Sequence, residues 1–360
     1  MFEIFLKLYK TRLQILLVCF LVALAYSIVV TFYFSNSKES VIVVRNIKNN
    51  LLILTDITDE SVEPKNDKNL FFIDTFRMQL KYKQARALKI GKRPACAIES
   101  AAILNPHLNI YAVYITREKR PKLQLTPELS ALIQYPNLKF VFINHNSFPI
   151  GSPLGSFFIN NHEITKSQYV IAHMSDAYRL LILWKYGGIY YDTDVISLKT
   201  AENTPQNFAC DDGEGVIVAN GIMRLDTHKG RTLAEMFIKY MTENYDADEW
   251  GTNGPIVITK VLSEICKTES ISEMVEMENC DGFYVLPRKI CYPIPWSRWK
   301  GIFNENHVDK MMSLINDSMT LHLWNNLSKR RKIEVEEDNL FNRIAKDKCP
   351  NVFGAMNQDF

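Results

Sequence analysis

Residues 173–195 constrain this chain more than any other stretch. Ala177, Leu180, Leu181 and Trp184 recur at i, i+3, i+4 and i+7, the apolar stripe of a helix facing a core. Asp176, Arg179, Leu183 and Tyr186 fall along a second face, with Asp176 and Arg179 neighbours across one turn. Ser175 reads as the N-cap. Gly187 and Gly188 supply the left-handed residue that stops a helix. The chain then enters a strand, where alternation puts Tyr190, Asp192 and Asp194 on one side and Ile189, Tyr191 and Val195 on the other. A buried helix folding back onto a strand that ends in carboxylates belongs to an open α/β sheet, which binds ligands at the carboxyl ends of its strands.

Two carboxylates one residue apart repel each other, and a divalent cation relieves that repulsion. Hard oxygen ligands suit Mn²⁺ or Mg²⁺, ions that commonly share their coordination with substrate phosphates. The pair therefore reads as the metal site of an enzyme that handles a diphosphate. An EF-hand does not fit, because the sixth position from Asp192 is Ser197 and the twelfth is Asn203. A solvated Asp-Thr-Asp turn is the bland alternative, and the buried helix before it argues against that. The sequence has no Walker A, no G-x-G-x-x-G, no G-x-S-x-G and no H-E-x-x-H. His107, His145, His162 and His173 are scattered and read as structural.

The chain's first part places this chemistry relative to a membrane. Residues 15–34 carry no charge, and a helix of that length spans about 30 Å, the hydrocarbon thickness of a bilayer. Lys7, Lys10 and Arg12 precede it against a lone Glu3, which puts residues 1–14 in the cytosol and the bulk of the chain on the far side. The run is too long for a signal-peptide core, and no A-x-A-like site follows, so it reads as an uncleaved anchor. Residues 35–68 are mixed and polar, a stem. Beyond the anchor lie Cys96, Cys210, Cys266, Cys280, Cys291 and Cys349, an even number that suits up to three disulfides with fifteen pairings open. Asn316-Asp-Ser and Asn326-Leu-Ser are sequons, in keeping with a lumenal side. A net charge of +2 leaves no footprint of a nucleic-acid binder.

From residue 69 to 360 no linker interrupts the pattern, which reads as one lumenal catalytic domain. Strands are expected at 70–73, 110–115, 140–143 and 216–219, and helices at 95–104, 127–134, 232–240 and 256–266. Alternation of the two favours an α/β fold on a mostly parallel sheet. An apolar segment at 319–324 closes the pattern.

Ser175-Asp-x-x-Arg179, Leu183-x-x-Tyr-Gly-Gly-Ile-Tyr190 and Asp192-x-Asp194 together resemble the DXD region of glycosyltransferase family 32, more closely its animal α1,4-glycosyltransferases. Phe71-Phe-Ile-Asp-Thr75, Ala95-Cys-Ala-Ile-Glu-Ser-Ala101, Val218-Ala-Asn-Gly221, Gly251-Thr-Asn-Gly-Pro255 and Leu321-His-Leu-Trp324 extend the likeness over roughly residues 70–325. One departure is Asp74, where relatives often carry Glu, followed by Phe76 where a small residue is common. The resemblance implies a GT-A-like fold and a retaining hexosyltransferase. Its donor would be UDP-galactose or UDP-N-acetylgalactosamine, its metal Mn²⁺ or Mg²⁺, and its product an α1,4 linkage on a glycolipid acceptor. It also implies a single-pass type II protein of the Golgi membrane, and leaves a homo- or hetero-oligomer there open. By the same resemblance Asp192 and Asp194 hold the metal with His322 as a further ligand. Asp176 and Arg179 contact donor sugar and phosphate. Phe72, Asp74 and Tyr190 lie by the nucleotide, Asn220, Gly254 and Pro255 line the sugar side, and Trp324 closes over the diphosphate. No nucleophile is evident outside the metal pair, so transfer on the same face of the sugar is expected, with the metal and Arg179 stabilising the departing UDP. Alternatives are another sugar, a glycoprotein acceptor, or a non-catalytic lumenal protein that keeps the fold for binding or chaperoning.

Overall fold

The computed structural model describes residues 47–65, 68–78, 87–160, 163–212, 215–356 and 359–360. The expected anchor, residues 15–34, lies outside them. Among the described residues no helix is long and apolar enough to cross a membrane.

The centre of the fold is an eight-stranded sheet. Its strands are β1 (Thr55–Asp56), β2 (Asn69–Asp74), β3 (Asn109–Thr116), β4 (Leu138–Asn144), β5 (Gly188–Tyr191), β7 (Asn207–Asp211), β8 (Val218–Leu225) and β9 (Tyr284–Leu286). They are arranged in the order β9-β7-β8-β5-β2-β3-β4-β1. A two-stranded sheet pairs β6 (Val195–Ser197) with β10 (Thr320–His322). The main sheet is mixed. β8 runs antiparallel to both neighbours, and the other neighbouring pairs are parallel. The connection from β7 to β8 is too short for the crossover that a parallel pair needs, so the chain turns back on itself. β8 also starts later and runs further than the sequence reading, through Asn220 and Gly221.

The sheet has helices on both faces. The helices α2 (Val170–Tyr186), α3 (Thr227–Glu243) and α4 (Pro255–Cys266) share one hydrophobic cluster with Phe71, Ile73, Tyr111 and Val113. Leu70 and Phe72 point the other way from the pleat and are equally buried. On that side α1 (Lys92–Leu104) packs with α5 (Leu340–Lys348). Strands buried on both faces read as continuous apolar runs, which is why β2 and β3 are legible in the sequence.

Residues 49–65 fall in the same compact unit as the rest, and β1 pairs with Val141 and Phe142 of β4. The fold therefore begins inside the segment read as a stem. The six cysteines pair as Cys96–Cys349, Cys210–Cys291 and Cys266–Cys280. The first ties α1 to the end of α5, and the second ties β7 to the segment that leads toward β10.

The helix α2 corrects one expectation. It starts at Val170, so Ser175 lies within it and Tyr169 occupies the N-cap position. Leu180, Leu181, Ile182 and Leu183 are all buried, four successive residues that point round a full turn, so the helix is enclosed on nearly every side. Its end follows the sequence closely: Gly187 has φ 63° and Gly188 φ 112°. At Gly188 a Cβ would fall 2.5 Å from the Asn69 carbonyl oxygen, so glycine is required both by conformation and by the approach of β2.

Candidate active site

The helix–Gly–Gly–strand unit brings Arg179 to Asp192 by simple geometry. From Arg179 to Gly187 the helix advances about 12 Å, and from Gly188 to Asp192 the strand returns about 13 Å. The two side chains finish level at the carboxyl edge of the sheet. Arg179 Nη1 lies 3.2 Å from Asp192 Oδ1, and Nη2 lies 3.3 Å from Asp176 Oδ1. Nη1 also donates to the Asn220 carbonyl at 2.8 Å, and Nη2 donates to Ser175 Oγ at 2.9 Å. The guanidinium lies 4.5 Å from the centre of the Tyr190 ring. Tyr190 in turn donates its hydroxyl to Asp192 Oδ1 at 2.6 Å. With so many partners Arg179 is a fixed charge, and its nearby carboxylates outweigh burial to hold its pKa above the ordinary value.

The strand reading fails after Tyr191. Asp192 and Asp194 sit on a turn between β5 and β6, closed by the Val195 N–H to the Asp192 carbonyl at 3.0 Å. The turn, not pleat alternation, brings the two carboxylates together. The pairing of β6 with β10 then carries in His322, opposite Val195. His322 Nε2 stands 3.4 Å from Asp194 Oδ1 and 3.7 Å from Asp192 Oδ2. One ligand atom from each of Asp192, Asp194 and His322 lies within 4.8 Å of the others.

These residues suit a divalent cation. Ions with metal–ligand bonds near ~2.1 Å need adjacent ligands roughly 3 Å apart, a small adjustment from the separations present. The charges agree as well. Asp176 and Asp192 face one guanidinium, Asp194 adds a further carboxylate beside His322, and a cation among them would offset the excess negative charge. Burial pulls the Asp192 carboxyl up, but Arg179, His322 and Tyr190 outweigh it and hold it below the usual carboxylate range. Burial likewise lowers His322, while Asp194 and Asp192 overcome it and raise the imidazole. Burial raises Asp176, which Arg179 and Asn220 only partly offset.

The other expected residues divide. Asn220 Nδ2 donates to Asp176 Oδ1 at 2.8 Å. Gly254 precedes Pro255 at the start of α4, and a Cβ there would fall 2.5 Å from Asp176 Oδ1 and 2.7 Å from Asn220 Nδ2. Asp176, Asn220, Gly254 and Pro255 therefore form one wall. Gly254→Ala is expected to destabilise the protein by about 1–3 kcal/mol through overpacking. Thermal denaturation of wild type and variant checks this.

Trp324 has its ring 4.2 Å from that of His322 and donates Nε1–H to the Ile294 carbonyl at 2.9 Å. Its backbone is left-handed, φ 54° and ψ 48°. For so bulky a residue that conformation costs on the order of 1–3 kcal/mol. It turns the following Asn325 N–H onto Asp194 Oδ2 at 2.6 Å. Phe72 is 1% exposed, with its ring against Tyr191. Its side chain is part of the core. Asp74 lies at the same sheet edge, accepting the Phe76 N–H at 2.8 Å.

Two residues have roles at the site that the sequence does not show. Ser175, read as a cap, instead holds Arg179. Arg93 is buried and donates to Asn325 Oδ1 at 3.1 Å, to Ser328 Oγ at 3.0 Å and to the Arg331 carbonyl. It fixes the segment whose Asn325 N–H holds Asp194. An arginine just ahead of the small and apolar run Ala95–Ala102 of α1 is the signal that could have drawn attention to it. His145 and His173 are structural, as expected. His145 Nδ1 bonds the Tyr178 hydroxyl at 2.8 Å, and His173 Nδ1 bonds the Tyr245 hydroxyl at 3.0 Å.

Comparison with known proteins agrees with this geometry. Residues 91–209, which include both aspartates, match the glycosyltransferase sugar-binding region containing the DXD motif. Residues 226–356, which include His322, match the α1,4-glycosyltransferase conserved region. Lactosylceramide 4-alpha-galactosyltransferase of Pongo pygmaeus is 30% identical over 188 residues, covering 52% of this chain and 83% of the relative. This chain belongs to the animal α1,4-glycosyltransferase family. The Rattus norvegicus lactosylceramide 4-alpha-galactosyltransferase is 28% identical, over 72% of this chain and 71% of its own length. A human alpha-1,4-N-acetylglucosaminyltransferase is 26% identical, over 72% and 74% respectively. Among solved structures, a galactosyltransferase in complex with donor and acceptor sugar analogues shows a distant likeness, with TM-score 0.42 and 10% identity over 80% of this chain and 96% of that one. For an α1,4-glycosyltransferase, Asp192-Thr-Asp194 is the DXD motif.

Proposed function

We propose that this chain is a UDP-sugar-dependent α1,4-hexosyltransferase acting on a glycolipid, with a GT-A-like domain in the Golgi lumen behind a type II anchor at residues 15–34. The observation that carries the reading is the convergence of Asp192, Asp194 and His322 beside Arg179 at the carboxyl edge of the sheet. A divalent ion held there supplies Lewis-acid stabilisation of a leaving diphosphate. Arg179 contributes a preorganised positive charge that needs no rearrangement as UDP departs. Asn220 and Arg179 hold the Asp176 carboxylate against Gly254, where it orients the sugar rather than attacking it. Asp176, Asp192 and Asp194 are thus each committed. That favours same-face transfer, in which the departing phosphate oxygen takes the acceptor proton.

The family includes both a galactosyl- and an N-acetylglucosaminyltransferase, so the donor choice extends to UDP-N-acetylglucosamine beside UDP-galactose and UDP-N-acetylgalactosamine. The test is a screen of the full chain in detergent with these donors, Mn²⁺ or Mg²⁺, and a panel of short glycolipids. The expected result is metal-dependent transfer from one donor, with linkage analysis giving an α1,4 product. Turnover of none of these donors under any metal condition would sink the reading and favour a non-catalytic lumenal role.

A further inference from the structure

Tyr292 is a buried neighbour of the site. The disulfide at Cys291 fixes the preceding residue to β7, and the Tyr292 N–H donates to the Arg288 carbonyl at 2.7 Å. Its ring meets His322 edge-on at 5.6 Å and lies tilted against Trp324, also at 5.6 Å. The side chain is 1% exposed, and its hydroxyl has no hydrogen-bond partner among the described residues. Tyr111 and Tyr186 share that condition, but both belong to the hydrophobic cluster under α2, α3 and α4.

Tyr292 is different because it faces the metal-binding carboxylates. A Cβ on Gly221 would fall 3.1 Å from the Tyr292 hydroxyl and 2.6 Å from Asp192 Oδ2. Glycine at 221 thus lets the backbone sit close to both the Asp192 carboxylate and the unsatisfied Tyr292 hydroxyl. A phenol is protonated at neutral pH and has one hydrogen to donate. Buried donors are paired in almost every native structure, and one left open beside a binding site awaits a ligand acceptor.

We propose that Tyr292 is a donor-positioning residue, whose hydroxyl donates a hydrogen bond to a phosphate oxygen of the bound UDP-sugar. This rests on the proposed transferase function. The test compares wild type with Tyr292→Phe, both full-length in detergent, by titrating UDP in the presence of Mn²⁺ and, separately, Mn²⁺ alone. Loss of a hydrogen bond to a charged group should weaken UDP binding about tenfold or more. Affinity for Mn²⁺ alone should not change. The melting temperature without ligand should stay equal or rise, because phenylalanine removes an unsatisfied group. Kinetically, the donor KM should rise more than kcat falls. Equal UDP affinity in the two proteins, while wild type binds UDP, would overturn this inference alone. So would a loss of affinity of the same size for Mn²⁺ without UDP, which would assign the hydroxyl to the metal ligands. A wild type that binds no UDP would overturn the transferase reading as well.

Discussion

Asp194→Asn is expected to reduce the transfer rate by about 10³-fold or more, since a metal contribution of several kcal/mol is at stake and each ~1.4 kcal/mol is tenfold. The substitution keeps size and shape. Its remaining carbonyl oxygen can accept the Asn325 N–H that now bonds Asp194 Oδ2. What it removes is the charge facing His322 and the second carboxylate of the turn. Fewer like charges would then crowd the site, so thermal stability without metal should hold or rise slightly. The Mn²⁺ concentration needed for half-maximal activity should rise steeply. Kinetics across a Mn²⁺ titration, beside a melting curve, separate this result from misfolding. Unchanged activity would remove Asp194 from the metal site.

The second large effect is on stability. Arg179→Met should destabilise the protein by about 3–5 kcal/mol, the usual cost of removing one partner from a buried ion pair. Arg179 is only 6% exposed and faces both Asp176 and Asp192. Methionine fills much of its volume but leaves both carboxylates without their cation. The pH dependence has a definite sign. Arg179 helps hold Asp192 below the ordinary value of 3.8. A depressed carboxyl contributes stability that is present above its unfolded pKa and is lost as pH falls through the folded one. The deficit of Arg179→Met should therefore be largest near neutral pH and shrink as the carboxylates protonate. Chemical denaturation at neutral and acidic pH measures this, and a deficit that does not vary with pH would show that packing, not charge, dominates. Arg179→Lys should recover only part of the loss, because one ammonium cannot bridge two carboxylates, a carbonyl and a hydroxyl at once.

Legibility in the sequence followed the range of the interactions. Helix, glycine stop and strand at 170–191 were readable because apolar periodicity and glycine conformation are local. The pair of carboxylates is readable for the same reason, although the sequence pattern alone extends the strand through the turn that joins them. Asn220, Gly254 and His322 were reachable only through resemblance. They lie tens to more than a hundred residues from Asp192, and nothing in their own neighbourhoods marks them as ligands or walls. Ser175 was misread because capping chemistry looks the same from sequence whether a helix begins there or five residues earlier. The motif does not tell which way Phe72 points; the pleat of β2 sets its side chain in the core.

The sequence by itself therefore determined the α/β layering, the residue types of the site and a local frame that sets Arg179 level with Asp192. Tertiary structure alone decided how the site is completed. Pairing of β6 with β10 delivers His322, the left-handed Trp324 aims the Asn325 N–H at Asp194, and Gly221 lets the backbone sit close to both Asp192 and Tyr292. Those arrangements depend on strand register and close approach between distant segments, which the packed fold sets and local composition does not.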